Sequence, residues 1–245
     1  MHGFVSIFKS RAFKISLMIG LFITSALIIL AILLGNAAGN FVIQVESGDL
    51  AKSIAITDKE DDKVYTNRLV TPGMVGMTNT TPRYFLGGDT YRVQEPVLKK
   101  LTEPLGQTIT EETVYIYTFY IVNTGTGALN INLRMNYSNV EKEFDEVIRV
   151  LTYNEEEEEV HIYQKADTID HIYQYYPFTP EPFENTTSGV VYNERTFISA
   201  TAEGSSEPSR MKYSVFFWIE GQDPECDSRV YDGTIKFSLD ISIVQ

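Results

Sequence analysis

The residues best placed to do chemistry lie near the C-terminus, where GQDPECDSRVYDG (residues 221–233) carries Asp223, Glu225, Asp227 and Asp232. Spaced carboxylates in a turn-forming loop are a ligand type for calcium, which collects about six to eight oxygens. The same spacing suits a local role, because an Asp in a turn accepts hydrogen bonds from backbone N–H groups just beyond it. Two readings therefore stand side by side: Asp223 as a turn-forming acceptor, or the four acids as a calcium site. A second acidic block, EEEEE at residues 155–159, neither spaces its ligands nor offers a turn glycine, so it reads as a solvated hairpin tip.

Other chemistries find little to use. The only histidines are His2, His161 and His171, and no HExxH spacing sets two imidazoles and a glutamate on one helical face. Cys226 is alone, so no intramolecular disulfide forms. Neither a GxSxG elbow nor a GxxxxGK phosphate loop occurs. The sequence predicts no enzyme, no catalytic residue and no cofactor other than the calcium just considered. Three Asn-x-Ser/Thr sites, at Asn79, Asn136 and Asn185, matter only in a host that glycosylates exported chains.

These groups depend on an N-terminal element for their location. Residues 15–34, ISLMIGLFITSALIILAILL, carry no charge and no polar face. At about 1.5 Å per residue, a helix of that length matches a hydrocarbon core of about 30 Å. Lys9, Arg11 and Lys14 precede it and the next basic residue is Lys52, so residues 1–14 are expected in the cytoplasm and residues 40–245 outside. The small residues Gly35, Asn36, Ala37 and Ala38 also resemble a signal-peptidase site, although signal h-regions are usually shorter. A retained anchor and a secreted chain cleaved near Ala37 or Ala38 both place the domain outside the membrane.

The exported part is strongly acidic. The whole chain has a net charge of -13, and residues 1–40 contribute three cations and no anion, which leaves -16 beyond them. That field repels phosphate backbones, so nucleic acid is not an expected partner.

Period-two patterning dominates residues 40–245. In FVIQVE (residues 41–46), Phe41, Ile43 and Val45 alternate with Val42, Gln44 and Glu46; residues 54–57 form a second short strand. VYIYTFYIV (residues 114–122) runs into NTGTG, which suggests a hairpin whose return strand carries Leu129, Ile131, Leu133, Met135 and Tyr137 on its core face. Val140, Phe144 and Val147 recur at helical spacing behind Ser138 and Asn139, which could cap one short helix. Strands follow on either side of the EEEEE tip, then an aromatic and proline-rich cover at residues 173–183. YSVFFWIE, with Trp218 in the core, and TIKFSLDISIV close the chain. The expectation is an all-β, antiparallel β-sandwich with one short helix, preceded by a single membrane helix.

With these segments identified, GNFVIQVESGDLAKSIAITDKED, DEVIRVLTY and WIEGQDPECD…DGTIKFSLDISI together resemble the TasA and camelysin group of exported bacterial surface and matrix proteins. The resemblance implies a jelly-roll sandwich at the cell surface that in some members assembles into fibres by passing an N-terminal strand to the next subunit. It also brings a metallopeptidase reading through camelysin, which the histidine inventory does not support. The functional expectation is a surface structural or adhesive protein. One alternative is a binding module for a cation or a polysaccharide, the latter using Tyr173, Tyr175 and Tyr176; a camelysin-type peptidase is the other. Self-association is expected, if it occurs, through residues 41–46, an apolar alternating strand guarded only by Glu46; pairing inside its own sandwich is the resting state.

Protease added to intact cells is expected to digest the chain beyond Asn40. A domain protected until the membrane is opened would reverse the orientation.

Overall fold

The computed structural model describes residues 41–46, 53–59, 65–71, 74, 77–86, 95–165, 180–205 and 207–244. The expected membrane segment 15–34 and its cytoplasmic flank lie outside these residues, as do Ala37, Ala38, His2, His171, Tyr173, Tyr175 and Tyr176. Among the described residues no helix is long and apolar enough to cross a membrane.

The fold is built on two long strands that are apolar on both faces. β5 (Val114–Asn123) is rich in β-branched and aromatic residues, which suit a pleated backbone. It pairs antiparallel with β11 (Ser209–Ile219) in an unbroken register from Ser209↔Asn123 to Trp218↔Val114. Tyr115, Tyr117, Phe119 and Ile121 join Val215 and Phe217 in the main core. On the other face, Val114, Ile116, Phe216 and Trp218 form a second core with Phe85 and Leu98. Neither strand has a wet face, so both lie in the middle of their sheet.

That sheet has seven strands. β2 (Ile54–Thr57), β5, β11, β7 (Ile148–Asn154), β8 (Glu159–Gln164) and β9 (Glu181–Pro182) lie in that order, and β4 (Gly106–Thr110) pairs with β5. The second sheet has five strands, in the order β10 (Val190–Ile198), β6 (Leu129–Ser138), β12 (Lys236–Ile243), β1 (Phe41–Val45) and β3 (Arg68–Val70). Its inward side chains, among them Phe41, Ile43, Leu133, Leu239 and Ile241, pack on the seven-stranded sheet to form a β-sandwich core. The strands flanking the EEEEE tip form the expected hairpin, with Leu151 opposite Ile162 and Asn154 opposite Glu159.

Three expectations change. β6 is not the return strand of β5: the two belong to opposite sheets. One side of β5 is taken by β11; β2 and β4 share the other, so no edge is free for a hairpin partner. The NTGTG turn crosses the sandwich instead. There Asn123 accepts from the Gly125 N–H at 3.0 Å and donates to the carbonyls of Gly127 and Ser199. Secondly, the sheets are mixed rather than antiparallel, because β1 runs parallel to β12 and β9 parallel to β8.

Thirdly, among the described residues three short helices occur where one was expected: α1 (Pro82–Phe85), α2 (Glu95–Thr102) and α3 (Phe144–Val147). α3 starts later than its spacing suggested. Ser138 belongs to β6, while Asn139, Lys142 and Glu143 adopt φ of 52°, 56° and 54°, left-handed values that cannot open a right-handed helix.

The N-terminal strand is interior. β1 pairs with β12 from Phe41↔Phe237 to Val45↔Ile241, and on its other side Ile43 faces Leu69 of β3. Phe41 and Ile43 are fully buried and Val45 nearly so. At about 1.5–3 kcal/mol per buried side chain, these three contribute on the order of 5–9 kcal/mol, comparable to the whole stability of an ordinary domain. A chain beginning at Ser47 is therefore expected to show no cooperative melting transition, and an added FVIQVE peptide to restore it. A stable truncated monomer would contradict this assignment.

Candidate functional site

The closing loop between β11 and β12 holds all four sequence-predicted ligands, and each finds its own protein partner. Asp223 is buried and forms an ion pair with Arg149, which is itself 2% exposed at the side chain. One oxygen takes the Arg149 Nη2 donor; the other accepts the Glu225 N–H at 2.9 Å. Burial pushes the Asp223 carboxyl up. The hydrogen bonds from Glu225 and the Arg149 charge outweigh that push and hold it below the usual carboxylate range.

Asp227 accepts from the backbone N–H of Arg229 at 2.8 Å and from its Nε at 3.0 Å, which lowers its pKa. Asp232 is almost fully exposed, with Lys142 Nζ 3.9 Å away. Glu225 is half-buried. Among the described residues no group of three His, Cys, Asp or Glu side chains is set to hold a metal.

Arg149 and Glu220 complete the network and were not picked out by motif reading. Arg149 also donates to the carbonyls of Glu146 and Ile148 at 2.8 and 3.1 Å. Glu220, fully buried at the end of β11, accepts from Trp218 Nε1 at 3.2 Å and from the Gln222 N–H at 3.1 Å. The signal was present for Arg149: a single cation inside the apolar run VIRVL needs a buried anion.

Beside the loop lies a cavity of about 540 Å³, walled mainly by Met74, Met77, Phe144, Ile219, Val230 and Ile235. Cys226 is on its wall, half-buried, with the Asn79 amide 3.6 Å from Sγ. Among the described residues that line the cavity, Asp232 is the one titratable side chain besides the Cys226 thiol and the Tyr231 hydroxyl.

A second titratable group sits where β8, β9 and β10 meet. His161 Nδ1 lies 2.7 Å from Glu181 Oε1 and Nε2 lies 3.9 Å from Glu159. Burial opposes the imidazolium. The Glu181 hydrogen bond and the charges of Glu194, Glu181 and Glu159 prevail, and the ring's pKa lies above its ordinary value. Glu194 points inward from β10 opposite Leu133, and burial pushes its carboxyl up to about 7, against the pull of His161 and with a further push from Glu159. Tyr163 stacks on Tyr192 at 4.9 Å in the same seam, and the Tyr192 and Tyr213 hydroxyls meet at 3.1 Å.

No family model matches this chain, and neither does any curated protein or solved structure.

Asp223→Ala strands the Arg149 charge in the core and is expected to cost about 3–5 kcal/mol, most of it recovered by pairing it with Arg149→Met. Melting curves of the parent chain with calcium and with chelator are expected to coincide. A ligand held only by the folded state at 100 times its dissociation constant would instead add about 2.7 kcal/mol.

Glu194 sets the pH dependence. Its folded pKa lies above the unfolded value, so the folded state binds the proton more tightly and stability rises as pH falls through about 7. The raised His161 acts in the same direction. Between about pH 8 and pH 5, Glu194→Gln is expected to remove roughly 2 kcal/mol of the pH-dependent gain, read by denaturant titration.

Proposed function

We propose that this chain is a cell-surface structural or adhesive protein, held at the membrane by residues 15–34 or released by cleavage near Ala37 or Ala38. The reading is carried by the position of β1. Six residues after the apolar run, the chain enters a strand paired on both sides and fully packed in the core. Force applied through the N-terminal segment enters the described fold at β1. Because β1 and β12 are parallel and in register over five residues, a pull along β1 strains their ladder together rather than one bond at a time.

This agrees with the resemblance to the TasA and camelysin group, which adds a jelly-roll topology and assembly by exchange of the N-terminal strand. For such exchange β1 would have to leave the slot between β12 and β3. The composition supports the reading as well: a net -16 beyond residue 40 favours solubility outside the cell. The chemistry for a peptidase finds no support in the closing loop, whose acids pair with arginine and backbone.

The test is made on the producing cell. The chain is expected in the envelope or the medium, with the N-terminus of the mature form read by mass spectrometry, and its deletion is expected to weaken cell-to-cell cohesion. Negative-stain images of the released form distinguish fibres from single particles. Recovery of the chain from the cytosol would overturn the proposal.

A further inference from the structure

The two outer faces of the sandwich are unlike. On the seven-stranded sheet an apolar patch of the outward face, with Ile116, Phe216 and Trp218, packs with α1 and α2, where Phe85 meets Trp218 at 5.2 Å and Leu98 is buried. The outward face of the five-stranded sheet is polar and carries no helix among the described residues.

Strand register sets that open face out in rows. One row crosses all five strands through Asn193, Arg134, Asp240, Gln44 and Arg68. At about 4.8 Å between strands it spans roughly 19 Å. The side chains are fixed to one another. Asp240 accepts from Asn136 Nδ2 and from Gln44 Nε2, each at 2.7 Å, and Asn132 Nδ2 donates to Asn193 Oδ1 at 2.7 Å. Arg134 Nε donates to Asn136 Oδ1 at 3.1 Å, which turns the rest of its guanidinium outward.

Charge on this face opposes that of the molecule. Arg68, Arg134, Arg195 and Lys236 face only Asp240 and Glu46, in a chain whose net charge beyond residue 40 is -16. None of the four cations forms an ion pair with a described residue. Asp240 is already occupied by two amides. Its apolar groups are Phe197 on β10, 48% exposed, and Val70 on β3, 45% exposed, beside Val42 of β1.

We propose that the outer face of the five-stranded sheet is a docking surface for a carboxylate-bearing polysaccharide. The arginine forks match carboxylates in two-point hydrogen bonding, and the amides match sugar hydroxyls as donors and acceptors. A folded protein partner fits less well, because protein interfaces centre on a desolvated apolar patch and the middle of this face is polar, with Asn132, Arg134, Asn136, Ser238 and Asp240. The side chains are prepaid in their ladder, so little rotamer freedom is lost on binding. The proposal rests on the exported location argued above, since such polymers lie outside the membrane.

The full chain in detergent is tested against immobilised polygalacturonate, with dextran as the uncharged glycan and poly-L-glutamate as the polyanion without sugar. Polygalacturonate is expected to bind, and to weaken steeply between about 50 and about 300 mM sodium chloride as the Debye length shortens and the charges on the face are screened. Dextran is expected not to bind. The exposed triple variant R68Q/R134Q/R195Q should lose at least about tenfold in affinity with unchanged melting temperature. The charge-matched control K100Q/K142Q/R229Q, away from the face, should bind like the parent.

No binding of polygalacturonate at low salt overturns the proposal, and so does equal loss in the two triple variants. Poly-L-glutamate binding as tightly as polygalacturonate overturns the glycan assignment in favour of an acidic protein. Because binding is measured on purified chain and location on cells, each reading can fail without the other.

Discussion

A strand pair that is apolar on both faces cannot be stable at a surface, and β5 with β11 is such a pair. Tyr115, Phe119 and Phe217 require cover on one side; Ile116, Phe216 and Trp218 require it on the other. The five-stranded sheet meets the first need. α1 and α2 meet the second with Phe85 and Leu98, which explains why a chain read as a plain two-layer sandwich has helices laid on one outer face. β2 and β4 are short because each covers only part of the same β5 edge.

The cover on the second side is incomplete at the end of β11, and there the protein uses charge rather than carbon. Arg149 stands opposite Trp218 in the sheet, and its cation would be unstable among apolar side chains without Asp223. Burial of such a pair adds little net stability, since the desolvation of two ions offsets their attraction. Its consequence is geometric. Asp223 can reach Arg149 in one path of the loop only, so the pair, with Glu220 bound to Trp218 Nε1, fixes how the chain leaves β11 and enters β12. Within that loop Asp223 and Asp227 serve as acceptors for backbone N–H groups and as counter-ions to Arg149 and Arg229.

The strands with a strict period or a dense apolar run were legible in the sequence, while β3, β4, β9 and β10 were not; of the partnerships, only the β7–β8 hairpin at the EEEEE tip was legible. Leu129, Ile131, Leu133, Met135 and Tyr137 line one face of β6 as their period of two requires, and Ile235, Phe237, Leu239 and Ile241 turn inward in the same way. Period, however, tells which face is buried and not which strand lies alongside. NTGTG after β5 has the composition of a hairpin turn, yet the same residues also allow a crossing between sheets once both edges of β5 are taken. Parallel pairing of β1 with β12 joins residues almost two hundred positions apart, beyond any local signal. At the site, Asp223 was legible as a turn residue, while its bond to Arg149 depended on a strand packed next to it by the whole fold.

The placement of charge along the sandwich follows from the same topology. β11 ends at Ile219 beside Ile148, and the loop after it returns to β12 next to Phe41, so the closing loop and the point where the chain enters the domain share one end. β7 runs away from that end, and its seven residues carry the EEEEE tip about 20 Å further on. Glu155 is tied there to Lys212 and Glu157 to Thr196, but the block as a whole remains solvated. The end where β1 begins therefore has Asp223 and Asp227 paired with arginine, the far end projects carboxylates, and the open sheet face between them carries Arg68, Arg134 and Arg195. A molecule so divided repels its neighbours end to end at the acidic tip, which leaves the broad cationic face as the surface on which an anion can approach without crossing a like charge.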